Sequence, residues 1–176
     1  DVRTLGRLTA DITTGEDWMK ALDGLGIISE RAVLLDQMTA EQNLAVPLTL
    51  ELFDLPAGAK AQVTALAEEV GLAREQLPKF ASTLSPLDRM RVRLARALAL
   101  NPRVVMAEHP NASLPSADHA TYAADISRVA SQRRLGLLVL TADRTFASAV
   151  ADRGLVLNPA TGELAPGDSG GRRWVR

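Results

Sequence analysis

Few residues in this 176-residue chain have the types and spacing that chemistry requires. Ser85 and Asp88 stand on either side of Pro86 and Leu87, at what reads as the start of a helix. A serine there caps free backbone N–H groups, and a carboxylate in the first turn suits the positive end of the helix dipole. Glu108 and His109 follow an apolar run. An acid and an imidazole thus meet at the end of a strand, where a solvated polar pair is the ordinary arrangement. Arg89, Arg93 and Arg96 share one helix face, which is solvated or packs through its aliphatic stems. His119 falls early in a helix and reads as a surface residue. The absence of cysteine excludes a disulfide scaffold, a thiolate zinc site and a cysteine nucleophile.

The elements that must position these groups follow from the pattern around them. Apolar residues make up 47% of the chain and aromatics 3%, so Leu, Val, Ala and Ile fill the core. The formal net charge of −1 argues against nucleic acid as a partner. No apolar run approaches the length of a transmembrane helix. Residues 2–12 read as short extended pieces broken at Gly6. Thr14 or Gly15 opens a helix over 16–23, and Ile27 and Ile28 mark a strand. A helix begins at Thr39 and cannot pass Pro47. Residues 54–58 read as a turn and 60–70 as an amphipathic helix closed by Gly71. A helix from Ser85 ends near Leu100, before Asn101-Pro102. Beyond it come a strand at 104–106, a helix at 117–133 capped by Ser116, a buried strand at 137–140, a helix at 143–150 and a third strand at 154–157. Alternating helices and short apolar strands predict a parallel sheet covered by helices.

Residues 84–114 read LSPLDRMRVRLARALALNPRVVMAEHPNASL. This stretch resembles the run in ABC-transporter ATPases that joins the signature motif to the Walker B strand. Leu84, Ser85, Arg91, Val92, Ala95, Arg96, Ala97, Leu98, Asn101, Pro102 and Pro110 match that pattern at fixed spacing. Residues 26–48 are similar to the Q-loop region and its N-x-A-x-P-L continuation, with a leaning toward the exporter and lipoprotein-release branches. Residues 138–143 (LVLTAD) resemble the strand that carries the switch histidine. The resemblance covers residues 1 to about 166. It implies an α/β fold: a partial P-loop NTPase-like parallel sheet with flanking helices and a helical subdomain. The subdomain is expected at about 30–85 and the Walker B and switch core at 86–166, with 167–176 a flexible tail.

The departures from the family fall on the chemistry. No G-x-x-x-x-G-K-[ST] phosphate loop occurs in the chain. In the family that loop precedes the segment matching Val2, so ATP and Mg²⁺ are expected only with a phosphate loop upstream, and otherwise no cofactor. The resemblance puts Glu30 at the Q-loop Gln and Glu108 at the Walker B Asp, where both are oxygen ligands for Mg²⁺. It puts His109 at the catalytic Glu, as a substitute base for water. Pro86 and Leu87 replace the signature glycines and Asp88 the signature Gln, leaving Ser85 as the phosphate donor. Pro115 stands at the D-loop Asp. Ala142 stands at the switch His and offers no side-chain hydrogen bond.

A degenerate ABC nucleotide-binding domain is therefore expected, with weak or absent ATP hydrolysis. Its partners are an ABC permease or a second ABC ATPase domain, and its place is the cytoplasmic face of a membrane. The alternative is an interaction or regulatory module that reuses the fold without nucleotide. The segment from Glu30 to Leu52 corresponds to the family's docking surface for the permease. One other segment, Gly167-Asp168-Ser169-Gly170-Gly171, looks like a serine-protease nucleophile. That chemistry needs a His and an Asp placed by two β-barrels and more chain after the serine, and an α/β chain supplies neither.

Overall fold

The structure is a computed structural model describing residues 3–4 and 6–167. Short antiparallel strands β1 (Arg3–Thr4) and β2 (Arg7–Leu8) turn at Gly6, which holds φ +84°. Helix α1 (Gly15–Asp23) starts where the Thr14 hydroxyl accepts from the Asp17 N–H. Strand β3 (Leu25–Ile28) follows, then α2 (Ala40–Ala45) and α3 (Ala57–Glu69). A capping box opens α2: Thr39 Oγ1 accepts from the Gln42 N–H, and Gln42 Oε1 from the Thr39 N–H. Helix α4 (Pro86–Leu98) leads to β4 (Val104–Glu108), α5 (Ser116–Arg133), β5 (Gly136–Leu140) and α6 (Arg144–Val150). A hairpin of β6 (Leu155–Leu157) and β7 (Leu164–Pro166) ends the described chain.

The sheet is parallel, in the order β3-β4-β5. Its register aligns Ile28, Ala107 and Val139 in one row and Ile27, Met106 and Leu138 in the next. Side chains alternate across a strand, so the two rows face opposite ways. The first row meets the helices and joins a core that includes Leu44, Val63, Val92, Leu98, Tyr122, Ile126 and Phe146. The face that carries the second row is open: Ile27 is 53% exposed, Leu138 48% and, further along β5, Leu140 51%. Contact between α4 and β3 is very close. A Cβ on Gly26 would lie 2.5 Å from the Ala97 carbonyl oxygen, so only glycine fits.

Ionic contacts tie the helices together. Arg91 Nε donates to Asp125 Oδ2 at 2.9 Å, joining α4 to α5, and Arg91 also meets Asp88 at 3.3 Å. Arg133 of α5 reaches Glu69 at the end of α3.

The helix and strand order agrees with the sequence, and the differences have local causes. Helix α3 begins at Ala57 rather than Lys60, because Pro56 fits a helix boundary and Ala57-Gly58 continue from it. Ser116 is the first residue of α5 rather than its cap; Pro115 holds the cap position without a side-chain bond. Strand β5 is half open where a buried strand is expected, since Leu138 and Leu140 lie on the face that no described helix covers. The strand expected after Gly154 does not join the parallel sheet. A short turn lets β6 pair antiparallel with β7 instead. Asp168–Arg176, which hold most of the expected tail and of the serine segment, lie outside the described residues.

Candidate functional site

Parallel sheets present their ligand crevice at the carboxyl ends of the strands. Here those ends carry Ser29, Glu108 and Thr141. Ser29 is buried, and its hydroxyl donates to Glu108 Oε2 at 2.8 Å. Ser29 Oγ in turn accepts from the Arg31 N–H at 3.2 Å, which fixes the turn after β3. Glu30 lies between them in sequence, exposed on that turn. By alternation Ser29 and Glu108 lie on the same side of the sheet as Ile27 and Met106. The carboxylate thus stands at the upper rim of the bare apolar face.

His109 leaves the strand end with φ 45°, and its N–H donates to the Leu140 carbonyl at 2.7 Å. Pro110 disfavours the right-handed helical region for the residue before it, and His109 takes the left-handed one. Its imidazole is exposed.

A second polar cluster lies beside this pair. Asn111, buried after β4, donates from Nδ2 to Asp143 Oδ2 at 3.0 Å and accepts from the Thr141 hydroxyl at 3.0 Å. Asp143 caps α6 by accepting from the Phe146 N–H at 3.0 Å. That backbone bond, aided by the nearby His119, holds its carboxyl below the usual range. His119 Nδ1 sits 3.3 Å from Asp143 Oδ2, and Nε2 sits 3.2 Å from the Leu114 carbonyl oxygen. His119 is therefore a bonded residue rather than the free surface residue expected. Ala142, between Thr141 and Asp143, is exposed and brings no polar group.

Ser85 and Asp88 form a closed pair at the start of α4. The Ser85 hydroxyl accepts from the Asp88 N–H at 3.1 Å and donates to Asp88 Oδ2 at 2.8 Å. No hydrogen bond or ion pair among the described residues joins them to Glu108 or His109.

The turn after β3 is shaped by groups that sequence patterns left without a role. Asn43 is fully buried; its Oδ1 accepts from the Leu35 N–H at 2.9 Å, and its Nδ2 donates to the Leu35 and Thr39 carbonyls at 3.0 Å. The arginine face of α4 is not a free solvated stripe. Arg89 pairs with Asp36 at 2.9 Å, and Arg96 donates to the Val33 carbonyl at 2.9 Å. Burial, helped by Arg93, lowers the pKa of Arg96. Arg93 Nη1 lies 3.1 Å from Met90 Sδ. Beyond this turn Leu50 is 97% exposed and Phe53 89%.

Among the described residues no group of three or more His, Asp or Glu side chains is placed to hold a metal. Glu108 offers one carboxylate, already accepting the Ser29 hydroxyl. Ser29 and Glu108 stand together at the carboxyl ends of β3 and β4.

Comparison with known proteins agrees with this arrangement. The chain is 32% identical over 173 residues to the lipoprotein-releasing system ATP-binding protein LolD of Bordetella avium, a match spanning 95% of the chain and 73% of that protein. The chain belongs to the ATP-binding proteins of ABC transporters. LolD of Psychrobacter arcticus is 34% identical over 133 residues, and YtrE of Bacillus subtilis 30% over 151. This ABC chain spans 58% of the length of the first of these and 64% of the second. No family model matches it. The ATP-binding cassette MJ0796, solved bound to ADP and Pi, superposes with a TM-score of 0.67 at 22% identity. That likeness covers 82% of the ABC chain and 63% of the cassette, and it shows the fold.

Proposed function

We propose that this chain works as part of a degenerate ABC nucleotide-binding subunit, coupling to a membrane permease or to a competent ATPase domain, with weak or absent hydrolysis. One observation carries the reading. The only signature residue left to donate to a phosphate, Ser85, is engaged by the Asp88 carboxylate. A negative group stands where the family places a γ-phosphate contact, and Pro86 removes an N–H from the same turn. Exposed His109 in the base position and Ala142 in the switch position support it. Glu108, and with it Glu30, remain metal ligands only in the sense that a phosphate loop lying upstream would complete the site; ATP and Mg²⁺ belong to that completed site.

The partners follow from the same resemblance. LolD is by name part of a lipoprotein-releasing system, and the apolar run past Pro47 is suited to dock on such a system's permease at the inner membrane face. No helix among the described residues is long and apolar enough to cross a membrane. Turnover measured on the natural protein with its partner tests the reading. It should lie at least about 100-fold below that of the His109→Glu, Ala142→His, Pro86→Gly, Leu87→Gly, Asp88→Gln variant. Equal rates in the two would sink it.

Ala142, exposed at the switch position without a polar side chain, favours a second reading, an interaction or regulatory module that reuses the fold without nucleotide. A rise in melting temperature on adding Mg²⁺ and ATP to the natural protein removes that alternative.

A further inference from the structure

The switch position has lost its imidazole, yet an imidazole from another element touches the adjacent residue. His119 belongs to the first turn of α5, and its ring lies between two acceptors: Asp143 Oδ2 at 3.3 Å from Nδ1 and the Leu114 carbonyl oxygen at 3.2 Å from Nε2. A neutral imidazole carries one N–H and satisfies one of these; an imidazolium carries two and satisfies both. The ring is held edge-on to Phe146 of α6, with centroids 6.1 Å apart and planes at 84°. Asp143 also binds the Asn111 amide and the Phe146 N–H, while Thr141 binds Asn111. Every side-chain oxygen of the loop from Thr141 to Asp143 is thus tied to the loop after β4 or to α6. His119 adds the one bond that brings α5.

We propose that His119 is the positioning residue of the switch loop in this chain: protonated, it clamps the Asp143 carboxylate to the Leu114 carbonyl, and on losing a proton it releases one of the two. Placement of the loop that carries Ala142 is then set from within the subunit and by proton concentration. The inference concerns the loop's conformation and stands whether or not the chain hydrolyses ATP. Ionisable groups around the ring are few. Asp143 faces it from the β5–α6 loop, and Arg144 follows Asp143. Asp118 precedes it on α5. Tyr122, one turn on, points its hydroxyl to the Met90 carbonyl of α4. Glu108 and His109 end β4. Opposing the clamp, a cation in the first turn of a helix meets the positive end of the dipole, which places the two protonation states in competition.

The test is a pH titration of the whole chain by NMR, following the His119 ring nitrogens and the backbone amides of Thr141 to Thr145. The chain has two histidines, so His109→Gln is the control. The expected result is that the loop amides titrate together with the His119 ring, unchanged in His109→Gln. That titration disappears in His119→Gln, whose uncharged amide still donates but does not titrate. Loop amides that stay still while the His119 ring titrates overturn the proposal. So do loop amides that titrate alike in wild type and His119→Gln, or that stop titrating in His109→Gln.

Discussion

Ser29 donates its hydroxyl to the Glu108 carboxylate across the adjoining ends of β3 and β4. The bond holds the acid at the carboxyl end of the sheet, and the Ser29 oxygen anchors the turn on which Glu30 sits by accepting the Arg31 N–H. Ser29→Ala removes both roles. The expected cost is about 1 kcal/mol, the net worth of a typical hydrogen bond, read as a lower urea midpoint with unchanged slope.

Asn43 holds the turn from the other side. Replacing it with Leu leaves the Leu35 N–H and the Leu35 and Thr39 carbonyls without a side-chain partner in a buried place. Unsatisfied buried groups are costly, so Asn43→Leu should destabilise by about 2–3 kcal/mol. Urea unfolding measures it, and hydrogen exchange should rise first at Leu35.

Ile27 and Ile28 are neighbours on one strand with opposite fates. Ile28 is fully buried and Ile27 is 53% exposed. Ile28→Ala should cost about 2–5 kcal/mol through lost burial and a cavity. Ile27→Ala should stay within about 1 kcal/mol. Equal costs in thermal unfolding would mean that both faces are covered.

Asp143 makes stability depend on pH in the acid range. Its carboxyl titrates below the ordinary value in the folded chain, chiefly because the ionised form accepts from the Phe146 N–H. The unfolded chain then binds the proton more tightly. The contribution is complete above the unfolded value, about pH 4, and is lost as pH falls through the lower folded value. Asp143→Asn should flatten that part of the stability curve, measured by denaturant unfolding at a series of pH values.

Arg91 shares Asp88 and Asp125 between two helices, both pairs being largely screened from water. Asp125→Asn leaves the guanidinium with one carboxylate and also removes the ion pair of Arg128, which keeps its bond to the Glu69 carbonyl. The expected loss is about 2 kcal/mol, below the figure for a fully buried pair because some solvent reaches the site. Asp125→Asn with Arg91→Met should recover part of it.

The helices were legible where caps and breakers speak locally: Thr14, Ser85 with Pro86, and Asn101-Pro102 all act within a turn of their own position. Motif spacing likewise put Glu108 at the end of one strand and Ala142 just past another, where β4 and β5 have them. Tertiary partners were not legible. Nothing in the pattern around His119 says that Asp143 will fold against it. Asn43 reads as an ordinary helix residue until its three backbone partners are seen. The apolar runs of β3 and β5 look alike whether one face or both are covered, so composition could not show that this sheet is open on one side. The fate of β6 depended on whether a neighbour lay beside β5, which no local signal reports.

That open side has a bearing on how the chain behaves in solution. Among the described residues Ile27, Leu138 and Leu140 form an apolar surface beside a β5 edge that has no neighbour, and such edges recruit other chains when left alone. Produced without a cover for that face, these 176 residues should self-associate as concentration rises, and whatever covers the face should keep them dispersed.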